Sequence, residues 1–290
     1  MSTLARTYEV AAAWPESSAQ SREVAAGAAT QGFPFVVAMG GDGLVCHVGG
    51  GIMDSPVALG IIPVGTANML ARSLGLPMRP RAAAELLAGR HTLRPIPVAR
   101  LLDHRGAIVG QALSQFGMGF DALVAAEVER HRWAKRWLPN LLYATVSAWI
   151  VASERRRIND MRLGVQADHM THDAVTVMVQ VRHPYAYLGP LPLRLTPTPT
   201  NGCDVLLAER CGPLVFLQTV ARMVAGPGTV ASVSGVAVWP DCARLTIQAR
   251  HAVPCQADGE LLGDLDRVEV HSVPDSLRVV VPWHPAAGIR

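Results

Sequence analysis

The sequence predicts an α/β protein in two parts: an N-terminal doubly wound α/β domain over residues 1–97 and a β-rich, sandwich-like domain over residues 98–290. Three observations carry that expectation. Up to residue 97, short apolar runs alternate with Ala-rich stretches; beyond it, many short β-like runs stand between turns; and Pro95-Ile96-Pro97 lies where one texture gives way to the other. Strand–helix alternation marks a parallel sheet, whereas frequent short strands mark an antiparallel sandwich.

The elements follow in order. Residues 6–13 (RTYEVAAA) read as a short strand ended by Trp14-Pro15, and residues 16–31 as a helix of small residues with polar ones along one side. Phe33-Pro34 opens the run FVVAM, which ends in GGDG and suits a fully buried parallel strand. Residues 44–53 follow as a helix, although Gly49-Gly50-Gly51 is poor helix material. ALGIIPVG (58–65) is the next buried strand, TANMLARSLG (66–75) a helix stopped by Gly75 and Pro77, and RAAAELLAG (81–89) another helix. Past residue 97, VARLLD, AIVGQALSQFG, MRLGVQA, AVTVMVQV, LPLRLTPT, CDVLLAE, GVAVW, ARLTIQA, RVEVHSV and SLRVVVP read as strands, interrupted by one helical block over residues 121–153.

Composition narrows the function. Of 290 residues, half are hydrophobic and 17% charged, enough apolar material for buried cores and too little charge for a disordered chain. A net charge of +3 without a basic run argues against a nucleic-acid partner. Five scattered cysteines without CxxC spacing point to a reducing, cytoplasmic setting. The N-terminal residues contain no continuous apolar signal core, and no stretch reaches the ~18 apolar residues of a spanning helix. No GxSxG elbow supports a hydrolase.

Chemistry concentrates at MGGDG (39–43). Glycines between a strand and a helix let backbone N–H groups approach an anion, and the helix N-terminus adds positive partial charge. Asp42 in that loop would repel a bare phosphate; it makes sense beside Mg²⁺, or as the group that takes a proton from an attacking hydroxyl. An ordinary strand-to-helix turn accounts for the tetrapeptide equally well. Lys135, the only lysine, lies far away, so a Walker-type lysine mechanism is excluded. The next strand also ends in a polar glycine turn, PVGTAN (63–68), and neighbouring strand ends are where open α/β sheets bind ligands. Thr66 and Asn68 suit phosphate, ribose or base; as helix caps they would need no ligand.

Four ordered segments, GGDG (40–43), GIIPVGTANMLARSLGLP (60–77), FGMGFDALVA (116–125) and QADGE (256–260), resemble the diacylglycerol kinase family, which is related to the sphingosine kinases and more distantly to NAD kinases. The resemblance implies ATP-dependent phosphorylation of a lipid hydroxyl, diacylglycerol first, with ATP and Mg²⁺ required. By matching positions, Gly40, Gly41, Asp42, Gly43, Gly65, Thr66 and Asn68 would hold ATP. Asp42, Asp258 and Glu260 would be the catalytic acids, with Asp42 or Asp258 linked to Mg²⁺. Asp121 would meet the lipid headgroup; as a helix N-cap it would be merely structural. Arg72 would face phosphate or solvent. The partners implied are ATP and a lipid at the membrane surface, with peripheral placement at the inner membrane; a homodimer is a further option.

Departures from the family pattern keep two other readings open. Leu44 follows GGDG where threonine is usual, His47 replaces a glutamate, and Asn201 replaces an aspartate tied to a structural metal in some relatives. RTYEV matches the family's second strand, so the first βα unit, with its NPxSG-like phosphate turn, is expected to be absent. A catalytically impaired relative is therefore one alternative, and a kinase of a soluble substrate such as NAD the other. Residues 133–157, with Trp133, Trp137 and Trp149 and basic flanks, suit either a membrane-surface helix or core packing. His169 and His172 read as surface residues in place of metal ligands.

Overall fold

The computed structural model describes residues 3–131, 139–189, 191–197, 202–226 and 228–283. The chain forms two compact units, one running to Pro97 and taken up again from Pro274, the other spanning Val98–Val273.

In the first unit, strands β1 (Phe35–Gly40) and β2 (Ala58–Pro63) pair in parallel from Phe35 opposite Ala58 to Gly40 opposite Pro63. All six residues of β2 are buried, as a central parallel strand requires. Its second neighbour is the end of β14 (Glu260–Pro282), which places Arg278 and Val279 parallel to Ala58 and Leu59. Helices α1 (Ser18–Thr30), α2 (Asp42–Ile52), α3 (Met69–Ser73) and α4 (Pro80–Ala88) complete the unit. Ser17 caps α1, its hydroxyl accepting from the Gln20 N–H at 3.2 Å.

One expectation is corrected here. Residues 6–13 form no strand: a 3-10 turn at Leu4–Arg6 leads into irregular chain up to residue 15. Leu4 is buried in a core with Ala83, Ala84 and Leu87, and the Tyr8 hydroxyl donates to the Leu87 carbonyl at 3.0 Å. These anchors fasten the segment to α4, while the following Val-Ala-Ala-Ala lacks the alternation that would recommend it to a sheet. The Gly49-Gly50-Gly51 run, in contrast, lies inside α2 without breaking it. A side chain at Gly51 would place its Cβ 2.4 Å from the Arg22 carbonyl and 2.8 Å from Ala25 Cβ, so the glycine is what admits α1 so closely.

The second unit is antiparallel. One run of strands is β13 (Arg244–Ala257), β5 (Gln115–Gly119), β8 (Thr176–Gln180), β11 (Cys203–Ala208) and β12 (Val236–Cys242). The first half of β13 pairs instead with β6 (Leu163–Ala167), which pairs with β7 (Met170–Ala174). A register shift between Gln248 and Val253 lets one long strand serve both sets, as strands at sandwich corners do. Phe116, Met118, Val177, Val205, Leu207 and Ile247, all fully buried, belong to the core these strands enclose.

Strands β3 (His91–Leu102) and β4 (Ile108–Ala112) pair with each other, and β9 (Ala186–Leu188) and β10 (Leu191–Leu193) form a small hairpin. The helical block resolves into α5 (Phe120–Arg130), α6 (Pro139–Ser153) and α7 (Arg155–Asp160). Trp133 and Trp137 lie outside the described residues, as does Asn201. Helix α8 (Pro213–Ala225) was not foreseen, although Pro213 in its first turn and Gly226 just after it are regular start and stop signals. Among the described residues, no helix is long and apolar enough to cross a membrane.

Candidate functional site

The first unit brings its two glycine turns into contact. Gly40 ends β1 and Gly41 is the N-cap residue of α2, so Asp42 and Gly43 open that helix. One strand over, Gly65 follows β2. A Cβ on Gly65 would stand 2.5 Å from the Gly41 Cα and 2.9 Å from the Asn68 Oδ1, so only glycine permits this approach. The Asn68 side chain folds back on the turn: its Oδ1 accepts from the Gly65 N–H at 3.0 Å and its Nδ2 donates to the Gly65 carbonyl at 2.7 Å. Asn68 is buried and left-handed at φ 46°, a conformation asparagine tolerates better than most residues. It stands at the N-cap position of α3 but makes no side-chain cap bond, so its amide shapes the turn and does not cap the helix.

Asp42 ties the turns together. Its Oδ1 accepts from the Met69 N–H at 2.6 Å, a charge-assisted bond to the first residue of α3. Thr66 and Ala67 are exposed beside it. The sequence-predicted residues Gly40, Gly41, Asp42, Gly43, Gly65, Thr66 and Asn68 thus form one local constellation at the carboxyl ends of adjacent parallel strands. Arg72 and His47 are both partly buried in the same unit, on α3 and α2.

In the second unit, Asp258 and Gly259 form the two-residue turn of the β13–β14 hairpin, with Ala257 opposite Glu260. Both turn residues have positive φ, 50° and 84°, as a type I′ hairpin demands. The Asp258 carboxylate accepts from three backbone N–H groups, those of Leu113 at 2.7 Å, Ser114 at 2.8 Å and Gln115 at 2.9 Å. Both its oxygens are therefore engaged in fastening the β4–β5 turn to the hairpin. Glu260 is exposed at the start of β14.

Asp121 lies inside the first turn of α5, whose N-cap residue is Gly119, and it makes no cap bond. Its Oδ2 instead accepts from Gln256 Nε2 at 2.5 Å, while Gln256 Oε1 accepts from the Gly259 N–H at 2.7 Å. Gln256 so connects the GFDA and DGE segments. A Cβ at Gly117 would fall 2.0 Å from Asp121 Oδ2, so the carboxylate occupies the space a side chain there would need. Burial raises the Asp121 pKa above its ordinary value, and the hydrogen bond from Gln256 offsets this only in part. Burial likewise pushes the Tyr185 hydroxyl well up, the neighbouring Asp121 charge adding to it. That hydroxyl is enclosed without a hydrogen bond of good geometry among the described residues, although Asp121 is its electrostatic neighbour.

Sequence reasoning missed Gln256, Tyr185 and Gly117. Gln256 was quoted as part of QADGE but given no role, and Gly117 stands inside FGMGF; Tyr185 offered no local signal. His169 and His172 gather no metal site: among the described residues, no group of three or more His, Cys, Asp or Glu is placed to hold an ion. His172 stands 3.4 Å from Glu209 and edge-on to Trp239.

Residues 3–101 match the model of the diacylglycerol kinase catalytic domain. Over that stretch the chain is similar to the diacylglycerol kinases. It is 36% identical over 114 residues to the diacylglycerol kinase of Mycobacterium tuberculosis strain H37Rv, a match covering 39% of this chain and 36% of that protein. With the Bacillus subtilis diacylglycerol kinase it shares 34% identity over 98 residues, 32% of each chain. The matches thus span about a third of these curated relatives' length. In structure, it is similar to a diacylglycerol kinase of Bacillus anthracis strain Sterne, with a TM-score of 0.69 at 16% identity over 99% of this chain and 89% of that one. At that identity the likeness speaks for the fold alone, and it agrees with the α/β and strand-rich parts expected.

Proposed function

We propose that this chain is an ATP-dependent lipid kinase that transfers the γ-phosphoryl group to a hydroxyl of diacylglycerol or a related lipid alcohol. The observation that carries the reading is the paired turn of Gly40–Gly43 and Gly65–Asn68, which lies within the stretch matching the family's catalytic domain. Backbone N–H groups at the start of the 11-residue α2 favour an anionic phosphate there. Asp42 holds the two turns in register through Met69 and places a carboxylate at the same spot.

Magnesium fits this donor set. The ion commonly binds through one or two carboxylates together with substrate phosphates and water, so a three-carboxylate cage is not needed. Asp42 is the residue that would hold it, and the ion would neutralise charge on the transferring phosphoryl group. We assign Asp258 a positioning role in the hairpin, and leave Glu260, which is exposed, as the acid of the DGE segment able to reach a ligand. Asp121, half-buried beside the buried Gln256 and Tyr185, supplies a polar cluster suited to hydroxyl recognition. The proposed partners are ATP and a lipid at the inner membrane surface, and the proposed setting is cytoplasmic and peripheral.

Radiolabelled ATP presented with Mg²⁺ to a panel of diacylglycerol, sphingosine, other lipid alcohols and NAD tests this directly. Label is expected in phosphatidic acid. A second reading, a relative that binds ligand without turnover, is favoured by Asp258, whose carboxylate is consumed by the backbone. Nucleotide binding with no labelled product from any substrate would establish that reading.

A further inference from the structure

We propose that helix α8 is a membrane-docking face that lies flat on anionic phospholipid. The helix turns one side inward: Thr219 and Met223 are buried, and Phe216 meets Phe120 edge-on with ring centroids 5.8 Å apart. Its other side shows Leu214 and Leu217, each 65% exposed, and Val224, 38% exposed. Positions 214, 217, 221 and 224 share one helical face, and Ala221 between them is exposed as well. The result is an aliphatic stripe along the outside of a 13-residue helix that contains no Asp or Glu.

Arginines stand at both ends of the stripe. Arg222 is exposed in the last turn. At the other end, Arg155 of α7 lies against Gly212, the N-cap residue of α8, with its Nε 3.8 Å and its Cζ 4.0 Å from where a Gly212 Cβ would stand. The Asn159 amide fixes that junction, donating to the Cys211 carbonyl and accepting from the Cys211 N–H, both at 3.0 Å. Arg155, Arg156 and Arg222 have no carboxylate partner among the described residues, whereas Arg157 pairs with Glu154 at 3.3 Å.

Arg155 is the telling residue. A guanidinium at the N-terminus of a helix faces the positive end of its dipole, so the fold gains nothing from the charge. An anionic headgroup there would meet the guanidinium and the helix N-terminus together. An aliphatic stripe flanked by unpaired arginines, on a helix too short to span a bilayer, is the make-up of an interfacial helix. The exposed arginines complement an anionic phospholipid surface, and the aliphatic stripe supplies the apolar face such a surface takes up. The inference stands on this unit's surface alone and does not depend on the kinase reading.

The test is co-sedimentation of the full chain with vesicles of phosphatidylcholine alone or mixed with phosphatidylglycerol, without ATP or diacylglycerol. Wild type is expected to bind the mixed vesicles and to be released by salt. Leu214→Asp combined with Leu217→Asp should weaken binding by at least about tenfold. Arg155→Gln and Arg222→Gln should each weaken it about fivefold on the anionic vesicles and leave phosphatidylcholine binding unaltered. All four positions are on the surface, and circular dichroism checks that the variants remain folded. No vesicle binding by wild type, or equal binding by the leucine variant, overturns the proposal. So does a leucine variant that changes only the oligomeric state in gel filtration, which would assign the stripe to a second copy of the chain.

Discussion

Asp42 spends one carboxylate oxygen on the Met69 N–H, and an amide oxygen in its place would keep that bond. Asp42→Asn is therefore expected to unfold within about 1 kcal/mol of wild type while phosphoryl transfer is abolished. Thermal unfolding beside a radiolabelled ATP assay checks both, and unchanged activity would remove Asp42 from the mechanism. Asp258 poses the opposite case, because three backbone N–H groups depend on it. Asp258→Ala should cost about 3 kcal/mol or more by urea denaturation, and Asp258→Asn, which suits the left-handed φ, clearly less. Asp121 makes stability depend on pH. Its folded pKa lies above the ordinary carboxylate value, so the stability it contributes is complete below that value and is lost as pH rises through the raised one. Asp121→Asn should accordingly match or fall below wild type in acid and gain on it at neutral pH; a pH series of urea midpoints shows whether the curves converge as described. Much at this scale was readable in advance as position but not as role. GGDG and DGE stood out as motifs, yet nothing in a linear sequence says that Asp258 faces the Leu113, Ser114 and Gln115 amides across more than 140 residues.

Elements were legible where their pattern was local. The runs FVVAM and ALGIIP, bounded by turn residues, became β1 and β2, and the Ala-rich stretch became α1. Residues 6–13 failed because Tyr8 prefers the end of α4 to a strand partner. Gly49-Gly50-Gly51 looked like poor material for the helix read over residues 44–53, because propensity counts only the chain itself; the gain from packing α1 against Gly51 is tertiary. The approach of Gly41 and Gly65 belongs to this scale too. Gly65→Ala would set a Cβ against backbone, not against a movable side chain. It should destabilise by about 1–3 kcal/mol and weaken ATP binding, measured by calorimetry, more than the conservative size change suggests. A variant that binds ATP normally would show that the two turns tolerate separation.

For the whole molecule, the change of texture at residue 97 was visible in composition, but the return of the chain to the first unit at Pro274 was not. SLRVVVP reads like any other late strand, and only its pairing partner, β2, tells where it belongs. Leu277, Val279, Val280 and Val281 are each about as buried as a core residue can be. At roughly 1.5–3 kcal/mol apiece, they match the whole net stability of an ordinary domain, about 5–15 kcal/mol. A chain cut after Val273 should lose the first unit, seen as insoluble expression or as loss of its cooperative transition. A truncated protein that kept that transition would show the last strand to be dispensable.

Gly117 and Asp121 form another pairing that a linear reading treats as two separate residues. Because the carboxylate fills the volume of the missing side chain, neither position is free to drift alone. Among chains descended from a common ancestor, a larger residue at 117 should appear only where the acid at 121 has shortened or gone. The two are then one inherited character, and the glycine becomes a marker, visible in bare sequence, of whether that acid is still in use.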